Sequence, residues 1–209
     1  CEPVRPGDAR GSGRGPHLAG ARAGTAATGR RDERGFLWGQ GVAPGASIFA
    51  QNPLCPGRAS WPPEGGWPAL TEEAAEAGAV GSSNSWQTGE GTGHGYQASE
   101  RIHDILVRDA RFEDDDEGDD PPTPFLLVFA AGNFSSQGLT APKEAKNLIV
   151  VANSFSPRVG DPEQVHFTSS RGPTFDGRWV PTLAAPGTSV ASARADTATV
   201  NCGASAITG

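Results

Sequence analysis

Two apolar runs do most to limit what this chain can fold into. They are Phe125-Leu126-Leu127-Val128-Phe129-Ala130-Ala131 and Asn147-Leu148-Ile149-Val150-Val151-Ala152-Asn153. Each has strand length, and neither alternates between apolar and polar residues. A strand with one wet face alternates, whereas a strand of a parallel sheet covered on both faces reads as a continuous apolar run. Parallel strands need long crossovers, usually helical. Residues 69–79 read as such a helix, with Thr71 as its cap, Glu72 and Glu73 in its first turn and Gly78 at its end. Residues 97–112 read as the strongest helix, because Ile102, Ile105, Leu106 and Ala110 share a face. Residues 79–86 (AVGSSNSW) fall where a further strand is due. The pattern predicts an α/β domain: three-layer and doubly wound, a mostly parallel sheet with helices on both faces. Residues 79–86, 125–131 and 147–153 should be neighbouring parallel strands.

The remaining segments read mainly as loops, which the 29 Gly and 18 Pro of 209 residues favour. Residues 1–35 are loop except for Pro16–Ala23, where a short helix could start. Residues 41–50 begin with a Pro-Gly turn and end in a short apolar strand. Residues 52–68 and 113–124 read as loop insertions. The second contains the acidic run 113–120 (EDDDEGDD), which reads as solvated. Calcium is the alternative for that run, but the D-x-[DN]-x-[DN]-G spacing is absent.

A net charge of −7 argues against nucleic-acid and anionic-membrane partners. No run of 18 apolar residues could span a membrane. The sequence has no Met and no signal-peptide pattern, so it reads as a processed product or a piece of a longer chain. Cys1, Cys55 and Cys202 allow one disulfide and leave its existence open. Oligomeric state is not legible.

Chemistry concentrates in short motifs. Ala130-Ala131-Gly132-Asn133 ends the strongest strand, and ligand groups in open α/β sheets sit just past strand carboxyl ends. The Gly permits a sharp turn and the Asn offers a side-chain donor, which suits an oxyanion hole. Phe167-Thr168-Ser169-Ser170-Arg171-Gly172-Pro173 follows, then Ala185-Pro186-Gly187-Thr188, then Gly203-Ala204-Ser205-Ala206-Ile207-Thr208-Gly209. Earlier come Gly13-Arg14-Gly15-Pro16-His17-Leu18-Ala19-Gly20, Gly41-Val42-Ala43-Pro44 and Asn84-Ser85-Trp86. Taken in order over residues 11–209, this set resembles the subtilisin-like serine proteases, the subtilases.

The resemblance implies a partial subtilisin-like peptidase domain over residues 1–209, truncated at both ends, with 1–12 a loop remnant. It implies a serine endopeptidase acting on polypeptide. Ser205 matches the nucleophile, and Asn133 the oxyanion side chain beside the backbone N–H of Ser205. Ser85 and Trp86 match one wall of the primary specificity pocket, and Ala131 and Gly132 the other. The family requires no cofactor, often binds structural calcium and is mostly secreted.

Three departures from the family pattern bear on activity. Arg14 occupies the position of the catalytic His, and a guanidinium stays protonated. His17 matches the family's second His and is the nearest substitute, about one helical turn on. No D-[ST]-G precedes the motif, and Asp8 reads as a loop carboxylate. The family's long helix after the nucleophile is missing, with Ala204, Ala206 and Gly209 replacing its Thr, Met and Pro. This chain is therefore expected to hydrolyse peptides poorly. The alternative is a catalytically dead pseudoprotease that binds or scaffolds.

A nucleotide-binding reading fails, because Gly11-Ser12-Gly13-Arg14-Gly15 follows no apolar strand and lacks G-K-[ST]. Among the other histidines, His94 reads as exposed loop, His103 as helix surface and His166 as a strand residue. None has metal-ligand spacing.

Overall fold

The computed structural model describes residues 29–49, 51, 65–88, 91–111, 121–193 and 204–207, the last four and 191–193 as backbone. The chain divides into two compact units, residues 58–187 and residues 1–57 with 188–208. Among the described residues no helix is long and apolar enough to cross a membrane.

Residues 58–187 are built on a four-stranded parallel sheet, β1 (Gly81–Asn84), β2 (Leu126–Ala130), β3 (Ile149–Ser154) and β4 (Leu183–Pro186), in that spatial order. The three strands read from the sequence are thus parallel neighbours, with Asn84 opposite Phe129 and Phe129 opposite Val150. The fourth, β4, carries the Ala185-Pro186 motif beside Asn153 and Ser154. Gly81 sets the closeness of the first pair. A β-carbon there would stand 2.7 Å from the carbonyl oxygen of Leu126, too near for any side chain.

Two helices accompany this sheet, one against it and one against its neighbour helix. α1 spans Gly66–Glu76, three residues ahead of the expected start. Gly65 takes the N-cap with φ 79°, and Trp67 and Pro68 are buried in the first turn. Burial of that indole outweighs the capping preference of Thr71, whose hydroxyl instead donates to the Trp67 carbonyl at 2.9 Å inside the helix. Glu72 and Glu73 therefore lie beyond the first turn, and the loop expected over 52–68 ends by residue 65; residues 52–64 lie outside the described residues. The helix closes as expected, Gly78 N–H donating to Ala75 O at 2.9 Å.

α2 spans Ala98–Arg108, entered through a reciprocal capping box between Gln97 and Glu100. Its inward face is unlike the apolar stripe of the sequence reading. Glu100, His103, Asp104 and Leu106 are buried, whereas Ile102 and Ile105 are half-buried. His103 and Asp104 are tolerated because they find the partners described below, and Glu100 because its Oε2 serves the capping box.

α2 covers the sheet face of Leu127 and Phe129, the latter fully buried, and α1 packs against α2. Burying such a side chain contributes about 1.5–3 kcal/mol. The opposite face carries Leu126 and Leu183, 48% and 47% exposed, and no described helix lies over it. The layer expected on that second face is not among the described residues.

The other unit holds a small antiparallel hairpin, β5 (Val190–Ala193) with β6 (Ala204–Ile207). Residues 31–37 form a tight turn in which the Asp32 carboxylate accepts from the N–H groups of Arg34 and Phe36, at 2.9 and 3.0 Å. The Pro-Gly turn of 41–50 is present, Ala46 N–H donating to Ala43 O at 3.0 Å, but the strand expected after it pairs with nothing among the described residues. The helix start at Pro16–Ala23, the acidic run 113–120 and all three cysteines lie outside the described residues.

Candidate functional site

The carboxyl end of β2 runs directly into Ala131-Gly132-Asn133. Ala131 is buried and keeps one more ladder bond, its N–H reaching Val151 O at 2.9 Å. Gly132 then turns the chain with φ 108°, a left-handed value that a side chain would strain. Asn133 follows with its side chain exposed to solvent.

The turn is clamped by the second motif. Ser170 N–H donates to Gly132 O at 2.8 Å, and Phe134 N–H donates to Ser170 Oγ at 3.0 Å. Ser135, itself at φ 56°, donates to Thr168 O and accepts from Arg171 N–H, both at 3.1 Å. One residue earlier, Ser169 Oγ accepts the N–H of Asn153 at 3.0 Å. Ser169 and Ser170 are completely buried, so their hydroxyls serve the backbone and face no solvent. The two sequence motifs thus form one rigid structure at the sheet's carboxyl edge. The Ala185-Pro186-Gly187 segment joins it through Gly187 N–H to Ser154 O at 3.1 Å.

Past the end of β1, Asn84 organises the neighbouring wall. Its amide donates to Ser82 Oγ at 2.8 Å and accepts the indole N–H of Trp86 at 3.1 Å. Ser85, between them, is exposed. The Trp86 ring turns inward, stacked on Trp67 with centroids 4.0 Å apart and edge-on to Phe129 at 4.8 Å. What this stretch offers to a ligand is therefore Ser85 and backbone, with the indole as its footing.

His103 completes that aromatic cluster, 5.8 Å from Trp67, 5.7 Å from Trp86 and 5.6 Å from Phe129. It is 2% exposed, which corrects the surface position expected from the sequence. The residue lies where α2 meets the sheet, and its ring Nδ1 sits 2.7 Å from Ser99 O. Burial lowers its pKa, opposed by that hydrogen bond and by the charge of Asp104. His166 is also misplaced by the sequence reading. It follows an isolated bridge between Ser154 and Val165, in a buried turn against Phe155 and Phe167, and is not in a strand. His94 is exposed, as expected.

Ser205 lies on β6, opposite Ser192 of β5, in the hairpin of the other unit. The described backbone gives it a strand setting. Arg14 and His17 lie outside the described residues. A cavity of about 410 Å³ adjoins the Ser170 clamp, lined by Ala152, Gln164, Val165, Ser170, Arg171 and Pro181, none of them a candidate from the sequence reading. Among the described residues no group of three or more His, Cys, Asp or Glu could hold a metal ion.

Sequence reasoning missed the charged groups around α2. The Asp104 carboxylate accepts the backbone N–H groups of Lys146 and Asn147 at 2.7 and 2.6 Å, and the Tyr96 hydroxyl at 2.8 Å. Burial, followed by that bond to Asp104, pushes the Tyr96 phenol up to about 12. Lys143 is 2% exposed and donates to Thr140 Oγ1 at 2.6 Å. The Gln97-x-x-Glu100 spacing was the available signal for the helix start; nothing in the sequence marked Lys143.

The family model described as Subtilase family matches residues 15–208. A search of curated proteins finds no match. Solved structures that resemble the chain include "S41 Psychrophilic Protease", at 20% identity and TM-score 0.57, covering 95% of this chain and 58% of that one. Sphericase matches at 21% identity and TM-score 0.53, over 95% of this chain and 58% of its own. The prenylagaramide maturation protease PagA matches at 16% and 0.50, over 92% and 56%. The chain thus spans under three fifths of each of these structures, and at such identities they show the shared fold.

Proposed function

The chain belongs to the subtilase family of serine proteases, and from that premise we propose that it is the core of a secreted peptide-bond hydrolase whose turnover in this chain is disabled. The observation that carries the reading is the clamped turn at the end of β2. Gly132 is held by the Ser170 N–H at 2.8 Å, so the exposed Asn133 is presented from a fixed backbone. Preorganised donors of this kind stabilise developing negative charge because they need no reorganisation during reaction. In this reading Ser205 attacks the carbonyl, and Asn133 with the Ser205 N–H receives the oxyanion. Ser85 and Trp86, with Ala131 and Gly132, flank the substrate side chain. No cofactor takes part, and any calcium is structural.

Arg14 at the family's His position favours a second reading, a pseudoprotease that binds polypeptide without cutting it. The pKa of a guanidinium is too high for it to accept the serine proton near neutral pH. Subtilisin sets the scale of such a lesion: there, loss of the Ser or the His alone costs about 2 × 10⁶ in turnover.

The test incubates the purified chain, its Arg14→His variant and its Ser205→Ala variant with a serine-directed fluorophosphonate and a fluorogenic peptide. Labelling and turnover that appear in Arg14→His, and that Ser205→Ala removes from that background, support a disabled protease. Peptide binding with neither labelling nor turnover in any variant supports the pseudoprotease. Turnover by the unmodified chain would sink both, and would point to His17 as a base.

A further inference from the structure

The cavity beside the Ser170 clamp takes no part in the proposed chemistry. Its volume is about 410 Å³, within the range of small-molecule sites. Of its lining, Ala152 and Ser170 are buried, whereas Gln164, Val165 and Arg171 are exposed, so solvent reaches it. Each wall is pinned. Val165 bridges Ser154, and Gln164 O accepts Phe155 N–H at 3.1 Å. Thr182, next to Pro181, donates its N–H to Val150 O at 2.8 Å, and its hydroxyl accepts Val150 N–H at 3.1 Å. Gly172, next to Arg171, passes so near the Val180 carbonyl oxygen that a β-carbon there would collide with it. The walls therefore stand in place before a ligand arrives, and binding needs little ordering.

The lining sets the chemistry of what fits. Ala152, Val165 and Pro181 are apolar, and Val165 is left 37% exposed. Arg171 brings the one charge in the lining. Its backbone N–H is held by Ser135 O at 3.1 Å, but its guanidinium has no ion pair or hydrogen bond among the described residues. A guanidinium offers a planar fork of N–H donors that matches a carboxylate. Gln164 adds a loosely held side-chain amide, 3.4 Å from Asp161 Oδ2. Asp161 and Glu163, exposed on the turn that leads into Gln164, bring negative charge near it. They disfavour a ligand that carries more than one negative charge.

We propose that this cavity binds a monocarboxylate with a short branched apolar tail, and that the occupant stiffens the turn that presents Asn133. Arg171 takes the carboxylate, and Ala152, Val165 and Pro181 surround the tail. A neutral ligand leaves the guanidinium without a counter-charge, and a basic one meets a like charge. The effect on the turn follows from Ser170, whose N–H and Oγ hold Gly132 and Phe134. A ligand packed on Ser170 binds only while that structure is closed, so it makes local opening rarer. The binding site stands apart from the catalytic reading; only the meaning of a stiffer turn for Asn133 rests on it. A free branched-chain acid and the carboxyl end of a peptide that finishes in Leu supply the same chemistry.

The test measures binding, so it needs no turnover. The whole 209-residue chain, isotopically labelled, is titrated with isocaproate and with N-acetyl-glycyl-leucine, each beside its amide, and followed by backbone amide NMR. At least one acid should bind about ten-fold more tightly than its amide, the lower end for a hydrogen bond to a charged group. Shifts should centre on Val165, Ser170 and Arg171, and Arg171→Met should remove the preference. Hydrogen exchange at Ser170 and Phe134 should slow at saturation. A preference shown by isocaproate alone supports a site for free acids, and one shared by the peptide supports a site for peptide ends. Equal affinity for acid and amide in the unmodified chain would overturn the proposal, whether or not the variant folds. So would no binding by either acid, shifts centred on another arginine such as Arg108, or a preference that survives in folded Arg171→Met. Binding with unchanged exchange at Phe134 overturns the link to the turn. None of these results bears on the serine chemistry, which the fluorophosphonate experiment decides separately.

Discussion

The indole of Trp67, in the first turn of α1, lies flat on that of Trp86, just beyond β1, with planes 6° from parallel. Through this one contact the start of a helix fixes the stretch that carries Ser85. Trp67 is 8% exposed, and truncating a buried Trp removes its transfer energy and leaves a cavity. Trp67→Ala should cost about 3–5 kcal/mol in a urea titration. A loss below about 1 kcal/mol would show that Trp86 is held by Asn84 and Phe129 without it.

His103 should make stability depend on pH on the acid side. Desolvation holds its folded-state pKa below the ordinary value of 6.5, so the unfolded chain binds the proton first. Below about that unfolded value the unfolded state carries more protons than the folded one, and stability falls as pH falls. Urea midpoints at pH 7.5 and 5 should differ in this direction, and His103→Phe should reduce the difference. An unchanged difference in the variant would assign the slope to carboxylates.

Lys143 should act at the other end of the scale. Burial lowers its pKa from 10.5 to about 8, opposed by Glu100. Between those two values the unfolded chain keeps a proton that the folded chain has released, so stability should rise as pH rises through that window. The shift corresponds to roughly 3 kcal/mol. Chemical denaturation at pH 7.5 and 10 should show the gain in the unmodified chain and lose it in Lys143→Met.

Asp104 ties α2 to the start of β3 by accepting three hydrogen bonds, two of them from backbone N–H groups. Removing the carboxylate strands those donors. Asp104→Ala should lower stability by about 2–4 kcal/mol, from bonds to a charged acceptor and donors left unpaired. Tyr96→Phe removes one partner only and should cost about 1 kcal/mol. Equal losses from both variants would place the tie at the phenol.

Gly132→Ala tests the clamped turn. A β-carbon there would meet Ser170 Oγ at 3.0 Å, on a backbone at φ 108°. The strain should cost about 1–3 kcal/mol, and amide exchange at Phe134 should accelerate as its bond to Ser170 is disturbed. Protection at Phe134 equal to that of the unmodified chain would show that the turn does not depend on the glycine.

The sequence made the parallel sheet legible because continuous apolar runs such as 126–130 have few other uses, and the registers agree with that reading. It also marked the clamped turn, since Gly132, Asn133 and the paired serines stand in recognisable motifs. It failed where partners are distant in sequence. His103 looked like helix surface because its neighbours on the chain are Ile102 and Asp104, while the rings that bury it come from residues 67, 86 and 129. The start of α1 moved forward because burial of Trp67 outweighed a capping preference of about 1 kcal/mol. Lys143 gave no sign at all, since a lone lysine in a loop is ordinarily solvated.

The contact between Gly81 and Leu126 has a consequence for how this sequence can drift. With only 2.7 Å to the neighbouring carbonyl oxygen, no other amino acid fits at position 81 unless β1 and β2 move apart. Because Asn84 and Phe129 share that ladder, widening it would shift the chain that holds Ser85 relative to the chain that holds Gly132. A saturation library selected for folding should therefore leave position 81 almost invariant while tolerating many residues at exposed Ser83, two positions on. The most silent residue of the strand would then carry its strictest memory.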